Sequence, residues 1–514
     1  MTATNALPTA DKIALAAALG VGNTVAFILD VHDPMFGAKG DAVGTGDGTV
    51  TGGNTLASGQ YTFTAANIGQ KLYLQQDATE RTIIGISGTS ALFTPAATNI
   101  TPCYWLCGTD DTAAFDAAFA YASTRLAGLV GSAVGAQAFA YVRGPIPLGG
   151  AVQMRAGRGY IVGNTQAQFN AGRLSAIVLP RRCSLRGAAG GFFGSTVHLK
   201  PGSYGHIIAN EGNGGTAFSD FGTLSNFTIY AYGSDWSPNS LDGVNITVAD
   251  NGYSKIDPFN RVMSVQVYNA GRDGFSFTGR GELFGFDLIA SYCRRRGHFI
   301  DRLADSRFLH LVAGGNDQTG IYINGGGPIH VGNSKAFYNG ATGGTDHKNS
   351  ANYVLTSDNQ YTGVTSLCDC EAQESRGSSL VLESGRNVIT AFQAYDPGRA
   401  GLTSGTLPDV IAGIHLRGGF CNNNVINGAV VRPTLTNFGA AGQNWGSAGN
   451  AVHIDAFDPT LGGPQFTDGT VYTTRATTVP AYRGIEYTTG SAKGGAGTSN
   501  GKNTGLKVDN VACT

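Results

Sequence analysis

Charge is the scarcest thing in this sequence. Asp, Glu, Lys and Arg make up only 13% of the 514 residues and the net charge is -1, so the chain has no field to attract nucleic acid or an anionic membrane. Methionine (4) and tryptophan (3) are also few. The eight cysteines are spread thinly, with Cys103-x-x-x-Cys107 and Cys368-x-Cys370 as the only close pairs. No histidine stands near them at ligand spacing, which argues against a zinc site and for free, buried thiols. In an extended strand residues 368 and 370 point the same way, so both are expected in the core without a mutual disulfide. Long apolar runs are missing as well. Ile13 to Leu29 is interrupted by Gly20, Gly22 and Asn23, and the only basic residue before it is Lys12, beside Asp11. The expectation is no signal peptide and no membrane insertion; a protein of this kind acting outside the cell would leave it by another route, such as lysis.

What the chain has in excess is glycine, 77 residues, about twice the ordinary share. It also has a repeat. Asn226-Phe-Thr-Ile-Tyr, Ser264-Val-Gln-Val-Tyr, Asp287-Leu-Ile-Ala-Ser, His310-Leu-Val-Ala-Gly, Asn333-Ser-Lys-Ala-Phe and Asp369-Cys-Glu-Ala-Gln share one pattern and recur, where loops are short, about every 23 residues. A second strand follows each: Gly274-Phe-Ser-Phe, Gly297-His-Phe-Ile, Gly320-Ile-Tyr-Ile, Asn352-Tyr-Val-Leu. Alternation with period two inside a fixed repeat predicts an all-β solenoid, a right-handed parallel β-helix whose coils stack at about 4.8 Å.

Residues 1–32 read as a leader with a short helix capped by Thr9. Residues 33–144 read as the start of the β-helix domain, and 145–514 as the solenoid with long one-sided loops. Within 33–144, Gly108-Thr-Asp-Asp-Thr-Ala-Ala-Phe opens an amphipathic helix over about 109–125. Thr109 or Asp110 is its N-cap, Ala114, Phe115, Ala118 and Phe119 its apolar stripe, and it is expected to cover the open end of the solenoid. The strongly alternating stretch of about 45–108 reads as a small β insertion.

Phe36-Gly-Ala-Lys-Gly-Asp41 followed by Asp110-Asp-Thr-Ala-Ala-Phe resembles the opening of the pectate-lyase-like superfamily of single-stranded right-handed β-helices, with the insertion splitting one motif in two. Val152-Gln-Met-Arg-Ala-Gly-Arg-Gly-Tyr-Ile161 and Ile177-Val-Leu-Pro-Arg-Arg-Cys-Ser-Leu-Arg-Gly187 resemble that family's first coils. The Asn-Thr-Asp, Asp-Asp and Gly-His-Gly set of its polygalacturonases is missing, as is the arginine signature of its calcium-dependent lyases. Together with the lack of a signal peptide, the pattern is most similar to phage tailspikes and polysaccharide depolymerases. That resemblance implies a glycoside hydrolase acting on a bacterial surface polysaccharide, a homotrimer, a place in a virion tail among other tail proteins, and no cofactor or metal. The alternatives are a polysaccharide lyase, with Tyr292, His298 or a lysine as base and Arg294, Arg295 or Arg296 neutralising a uronate, and a non-catalytic glycan-binding fibre.

The repeat sorts the acids. Asp287, Asp369, Asp468 and His310 share a turn column with Asn226, Ser264, Asn333 and Asn427, where any small hydrogen-bonding residue serves. The long insertions 233–243, 341–350, 396–409 and 432–449 all follow the first strand and would wall a groove on one side. The turn they grow from carries the candidate catalytic acids Asp273, Asp317, Glu374 and Asp396, beside Arg294–Arg296. Stacking puts Asp317 two coils from Asp273 and from Glu374, about 10 Å, and Glu374 about 5 Å from Asp396. Beside them runs an outward column of Tyr230, Tyr268, Ser291, Gly314, Phe337, Gln373, Tyr395, Val431 and Tyr472, flanked by Gln266, Lys335, Glu371 and Gln393. Tyr230, Tyr268, Tyr395, Lys335, Glu371, Arg296 and Trp236 are the candidate substrate-binding residues. The competing expectations are solvated turn acids and an aromatic ladder or subunit interface.

Overall fold

The computed structural model describes residues 28–75, 77–129, 150–180, 183–188, 194–210, 222–232, 239–248, 260–357, 364–398, 408, 411–417, 421, 423–432, 449–454, 465–467, 470–471, 483–487, 507–509 and 512–513. The chain is a right-handed parallel β-helix and divides into two compact units, Met1–Ile246 with Phe259–Gly271, and Thr247–Pro258 with Arg272–Thr514.

In the first unit the strands Ile28–Asp30, Ala151–Gln153, Ser184–Arg186, Thr223–Tyr230 and Arg261–Tyr268 stack in parallel register. Gly159–Val162 and Ser195–Leu199 stack beside them, and Ser195–Leu199 also pairs with Thr223–Tyr230. Ser175–Leu179, His206–Asn210 and Val244–Val248 form a second sheet. The solenoid therefore includes Ile28–Asp30, which the sequence assigned to a leader; three residues are too few for alternation to show.

Between Asp41 and Asp110 the chain builds a closed barrel of six antiparallel strands, Val43–Thr51, Thr55–Ala57, Lys71–Leu74, Asp77–Ser87, Ser90–Thr94 and Ile100–Gly108. Its own core includes Leu56, Phe63, Leu72, Ile83, Phe93 and Trp105. A closed sheet has no free edge to pair with neighbours, which lets it sit as an insertion.

The two halves of the split motif are rejoined by their acids. Asp111 accepts from the backbone N–H of Lys39 (2.7 Å) and Gly40 (3.1 Å). Asp41 accepts from the N–H (2.7 Å) and hydroxyl (3.1 Å) of Thr109. Burial raises the Asp111 carboxyl to about 6 against these backbone donors. The helix Thr112–Leu129 then starts, with Asp110 accepting from the Thr112 N–H. It buries Ala114, Phe115, Ala118, Phe119 and Ala122, packing on the strands Ala151–Gln153 and Ser175–Leu179.

In the second unit, Phe284–Ser291, Ser306–Gly314, then Ile329–Gly332 with Lys335–Phe337, Thr365–Cys368 with Glu371–Gln373, Val388–Thr390 with Gln393–Tyr395, and Val425–Asn427 with Val430–Arg432 follow one another coil by coil. Phe275–Gly279, His298–Asp301, Ile321–Gly325, Tyr353–Ser357, Leu380–Leu382, Ile411–Leu416, Gly449–Ile454 and Arg483–Tyr487 form the facing sheet. Inward aliphatic and aromatic side chains such as Leu288, Phe277, Ile300, Leu311, Ile323 and Leu355 are fully buried.

Each first strand is bent in its middle by one residue in the left-handed backbone region. The register places Asn226 and Ser264 in the first unit, and Asp287, His310, Asn333, Asp369, Ala391 and Gly428 in the second, at this bend with φ of 49–65°. The bend shifts the alternation. Cys368 is exposed and Cys370 buried, against the same-side expectation, because Asp369 at φ 52° lies between them. It also moves the last described member of the column from Asn427 to Gly428; Asp468 lies outside the described residues. Cys103, Cys107, Cys183, Cys293, Cys370 and Cys421 are buried and outside any disulfide, and Cys368 is an exposed thiol.

Candidate functional site

Five successive coils of the second unit have a second left-handed corner, immediately after the first strand. Tyr292 (φ 58°), Gly315 (64°), Tyr338 (55°), Glu374 (49°) and Asp396 (45°) occupy it in successive coils. Their N–H groups climb the stack: Tyr292 to the Gly314 carbonyl (3.0 Å), Gly315 to Phe337 (3.0 Å), Tyr338 to Gln373 (3.2 Å) and Glu374 to Tyr395 (2.9 Å). Under this corner runs a fully buried amide ladder. Asn316 donates to the Asn339 side-chain oxygen (2.8 Å), Asn339 to that of Asn352 (2.8 Å), and Asn352 to the Gln373 carbonyl (2.8 Å). The Asn316 and Asn339 oxygens also accept the backbone N–H of Cys293 (2.9 Å) and Asn316 (3.0 Å). A polar network with its members satisfied is rigid, so the corner residues project from a fixed base.

Gly314-Gly315 makes a notch in this surface. A Cβ on Gly314 would meet the Phe337 ring at 2.5 Å, and one on Gly315 the Tyr292 ring at 2.8 Å. The rings of the coils on either side therefore lean over a stretch without side chains. Beside the notch lies Asp317, half-buried, whose backbone carbonyl accepts the N–H (2.7 Å) and hydroxyl (3.0 Å) of Thr342. These bonds bring the start of the 341–350 insertion against it. Burial raises the Asp317 carboxyl above its ordinary value, and the Arg294 guanidinium pulls the other way. Arg294 is exposed and holds the equivalent place one coil earlier, since the Asp317 and Gln318 N–H groups donate to Cys293 and Arg295.

The four candidate acids fall into three columns, not one. Asp273 is fully buried, gripped by the Arg295 guanidinium on both oxygens and by the Arg296 N–H (3.1 Å). It stands at the start of the facing sheet, level with Arg296 and Thr319, and its bonds make it a structural anchor. Asp317 lies two residues past the corner, while Glu374 and Asp396 form the corner itself, one coil apart and about 4.8 Å by strand spacing. Glu374 is half-buried and Asp396 2% exposed.

The candidate binding residues also separate. Tyr230 stacks on Tyr268 (centroids 5.4 Å, planes at 15°) and on His198 (5.4 Å, 20°). Both faces of Tyr230 and one of Tyr268 are covered by protein, which leaves ring edges for solvent and fits the aromatic ladder. Lys335 faces Glu371 at 3.6 Å, and Gln373 also donates to Glu371. The Tyr395 hydroxyl donates to Gln393. Arg296 lies over the rings of Tyr322 (4.1 Å) and Phe299 (4.5 Å) on the facing sheet. The register sets Arg432 opposite Tyr395, while Val431 is buried opposite Ala394. Trp236 and Tyr472, and most of the insertions after 233, 396 and 432, lie outside the described residues. Of the bases proposed for a lyase, His298 is fully buried and donates its Nε2–H to the Val312 carbonyl (3.0 Å).

Sequence reasoning did not single out Tyr338, and it took Tyr292 only as a candidate lyase base. Both follow the last residue of a first strand at the same phase as Glu374, a signal present in the 23-residue repeat. Among the described residues, no three His, Cys, Asp or Glu side chains are grouped to hold a metal, and no helix is long and apolar enough to cross a membrane.

No protein-family model matches the sequence, and no curated protein matches it. Among solved structures the chain is similar to the A-module of the Azotobacter vinelandii mannuronan C-5 epimerase AlgE6, at 14% identity and a TM-score of 0.46, over 79% of this chain and 96% of that one. It is similar to the enzymatically active domain of bacteriophage CBA120 tailspike protein 2, at 14% identity and a TM-score of 0.47, over 97% of this chain and 64% of that one. It is also similar to an N-terminal fragment of bacteriophage Phi29 gene product 12, at 12% identity and a TM-score of 0.45, over 79% of this chain and 60% of that one. At these identities the likeness is one of chain course, and the activities those names carry belong to those proteins.

Proposed function

We propose that this chain is a polysaccharide-cleaving enzyme, a glycoside hydrolase of phage tailspike type acting on a bacterial surface polysaccharide at the second corner of its β-helix. The observation that carries this is Asp317: a half-buried carboxyl that burial raises above its ordinary value, beside the glycine pair 314–315 and two coils from Glu374. Two coils is about 10 Å along the stack and the two-residue offset between the columns adds to it at the backbone, so this reading requires the two side chains to lean together until one water fits between their carboxyl groups. Protonated Asp317 gives its proton to the glycosidic oxygen as the carbon–oxygen bond breaks. Glu374 takes a proton from the water that bonds to the anomeric carbon, so the products are one new reducing end and one free hydroxyl, with inversion.

A lyase is the second reading, favoured by the exposed Tyr292 two residues before the exposed Arg294. Incubation with a panel of purified capsular and O-antigen polysaccharides separates the two. New reducing ends without ultraviolet absorbance are expected; absorbing products would establish elimination, and no product with retained binding would leave a glycan-binding fibre. The same proposal includes a homotrimer carried in a virus tail. Phe286, Leu309, Val364 and Val388 are exposed along the outer face of the first sheet of the second unit, surface that association would cover. Light scattering is expected to give about three times the 53.0 kDa chain mass; a 53.0 kDa particle at all concentrations would rule the trimer out.

A further inference from the structure

We propose that Tyr292 and Tyr338 are the sugar-stacking platforms that place the glycan across Asp317, an inference that rests on the polysaccharide reading above and assigns its binding subsites. Left-handed backbone is unfavourable for a bulky L-residue, because its Cβ crowds the carbonyl, and such outliers gather at functional sites. The first corner of these coils shows how the fold normally meets this demand, with Asn, Ser, Asp, His, Ala or Gly. At the second corner two tyrosines stand in that conformation at φ 58° and 55°. Neither adopts it to bury its ring: Tyr292 is 65% and Tyr338 50% exposed. The coil between them carries Gly315 at the same corner, so the two tyrosines are rooted two coils apart, about 10 Å at the backbone, and the Tyr292 ring leans over the glycine.

The chemistry beside the rings selects the ligand. The Tyr338 ring meets Phe337 edge-on, 5.8 Å between centroids and 79° between planes, which fixes its orientation without covering both faces. Asp317 lies between the two tyrosines, Glu374 follows Tyr338 in the next coil, and Arg294 follows Tyr292. Open ring faces interleaved with hydrogen-bonding and charged groups match a chain of pyranoses, each with an apolar ring face and a rim of hydroxyls. A purely apolar partner would leave those charges buried and unpaired. Sugars seated on Tyr292 and Tyr338 would bring the stretch of glycan that links them past the glycine pair and within reach of Asp317.

Glycine replacement tests this because it separates fold from binding. Tyr292→Gly and Tyr338→Gly relieve the backbone, so melting temperature is expected to hold or rise. With the capsular and O-antigen panel, each is expected to raise KM about tenfold, the loss of roughly one aromatic contact. Tyr292→Phe is expected to recover the affinity lost in Tyr292→Gly, because the ring face does the binding. Gly315→Ala, which pushes the Tyr292 ring aside, is expected to raise KM as well. If cleavage persists and both glycine variants keep KM within twofold of the wild type, the platforms are overturned while the depolymerase survives. If the wild type neither binds nor cleaves any member of the panel, both fall together.

Discussion

The two left-handed corners of each coil answer one backbone demand in opposite ways. At the first, in mid-strand, the residues are short and polar or lack a side chain beyond Cβ, and where they touch they bond each other, as His310 does with Asp287 at 2.9 Å. Each is a residue that tolerates positive φ or hydrogen-bonds locally to offset it, apart from Ala391. At the second corner the same conformation is imposed on two exposed tyrosines, Tyr292 and Tyr338, alongside Gly315, Glu374 and Asp396. A buried asparagine ladder holds that corner in place. A fold that supplies a rigid base and then seats unsuitable residues on it is being used for something other than its own stability. That is why the candidate site is placed there and not at the acids of the first corner.

The strongest way to break this comparison is to exchange one acid from each corner region for its amide. Asp317→Asn is expected to cut turnover by at least ~10²-fold, the low end for losing an acid/base group, with melting moved by no more than a few degrees. Asp287→Asn is expected to leave both turnover and melting unchanged, because its column asks for a turn former. Steady-state rates on the cleaved polysaccharide decide it. An active Asp317→Asn with an inactive Asp287→Asn would reverse the roles of the two columns.

A smaller effect sharpens the same contrast through pH. The Asp317 carboxyl is raised by burial and lowered by Arg294, so as general acid it is active while protonated and the rate falls as pH rises through its raised value. Removing the guanidinium in Arg294→Gln lifts the restraint, and the alkaline limb of kcat/KM is expected to move to higher pH. A limb that stays in place, or moves down, would take the general-acid role away from Asp317.

Much of this was legible in the sequence, and the errors share one cause. The solenoid shows because inward positions must be apolar in every coil, so the period survives any loop insertion. The phase inside a coil shows less well, because two left-handed residues per coil each interrupt the alternation. Counting in twos across Asp369 put Cys368 on the wrong side, and counting across the turn merged Asp273, Asp317 and Glu374 into one column. Asp273 was legible as an acid but not as the partner of Arg295, since pairing across coils depends on where each turn bends. The coil of Val388–Thr390 and Gln393–Tyr395 dropped out of the turn column because Ala391 carries no polar mark. Tyr338 was hidden because aromatic residues at a strand end read as sheet surface; only the positive φ distinguishes it.

The smallest expected effect tests whether strain is what separates the corners. Ala391 is the one residue of the first column with a Cβ and no hydrogen-bonding side chain, at φ 53°, so it bears the left-handed cost without compensation. Ala391→Gly should relieve about 1 kcal/mol, offset in part by the greater freedom of glycine in the unfolded chain. In a chain of this size that is a rise in melting temperature of a degree or two. Asn333→Gly, at φ 49° in the same column, should change melting less, because asparagine already tolerates the conformation. Neither should alter cleavage. A glycine at Ala391 that leaves melting unchanged, measured beside Tyr292→Gly, would mean that positive φ costs this fold little. The tyrosines of the second corner would then need no functional explanation for standing there, and only their exposure and their place beside Asp317 would still speak for them.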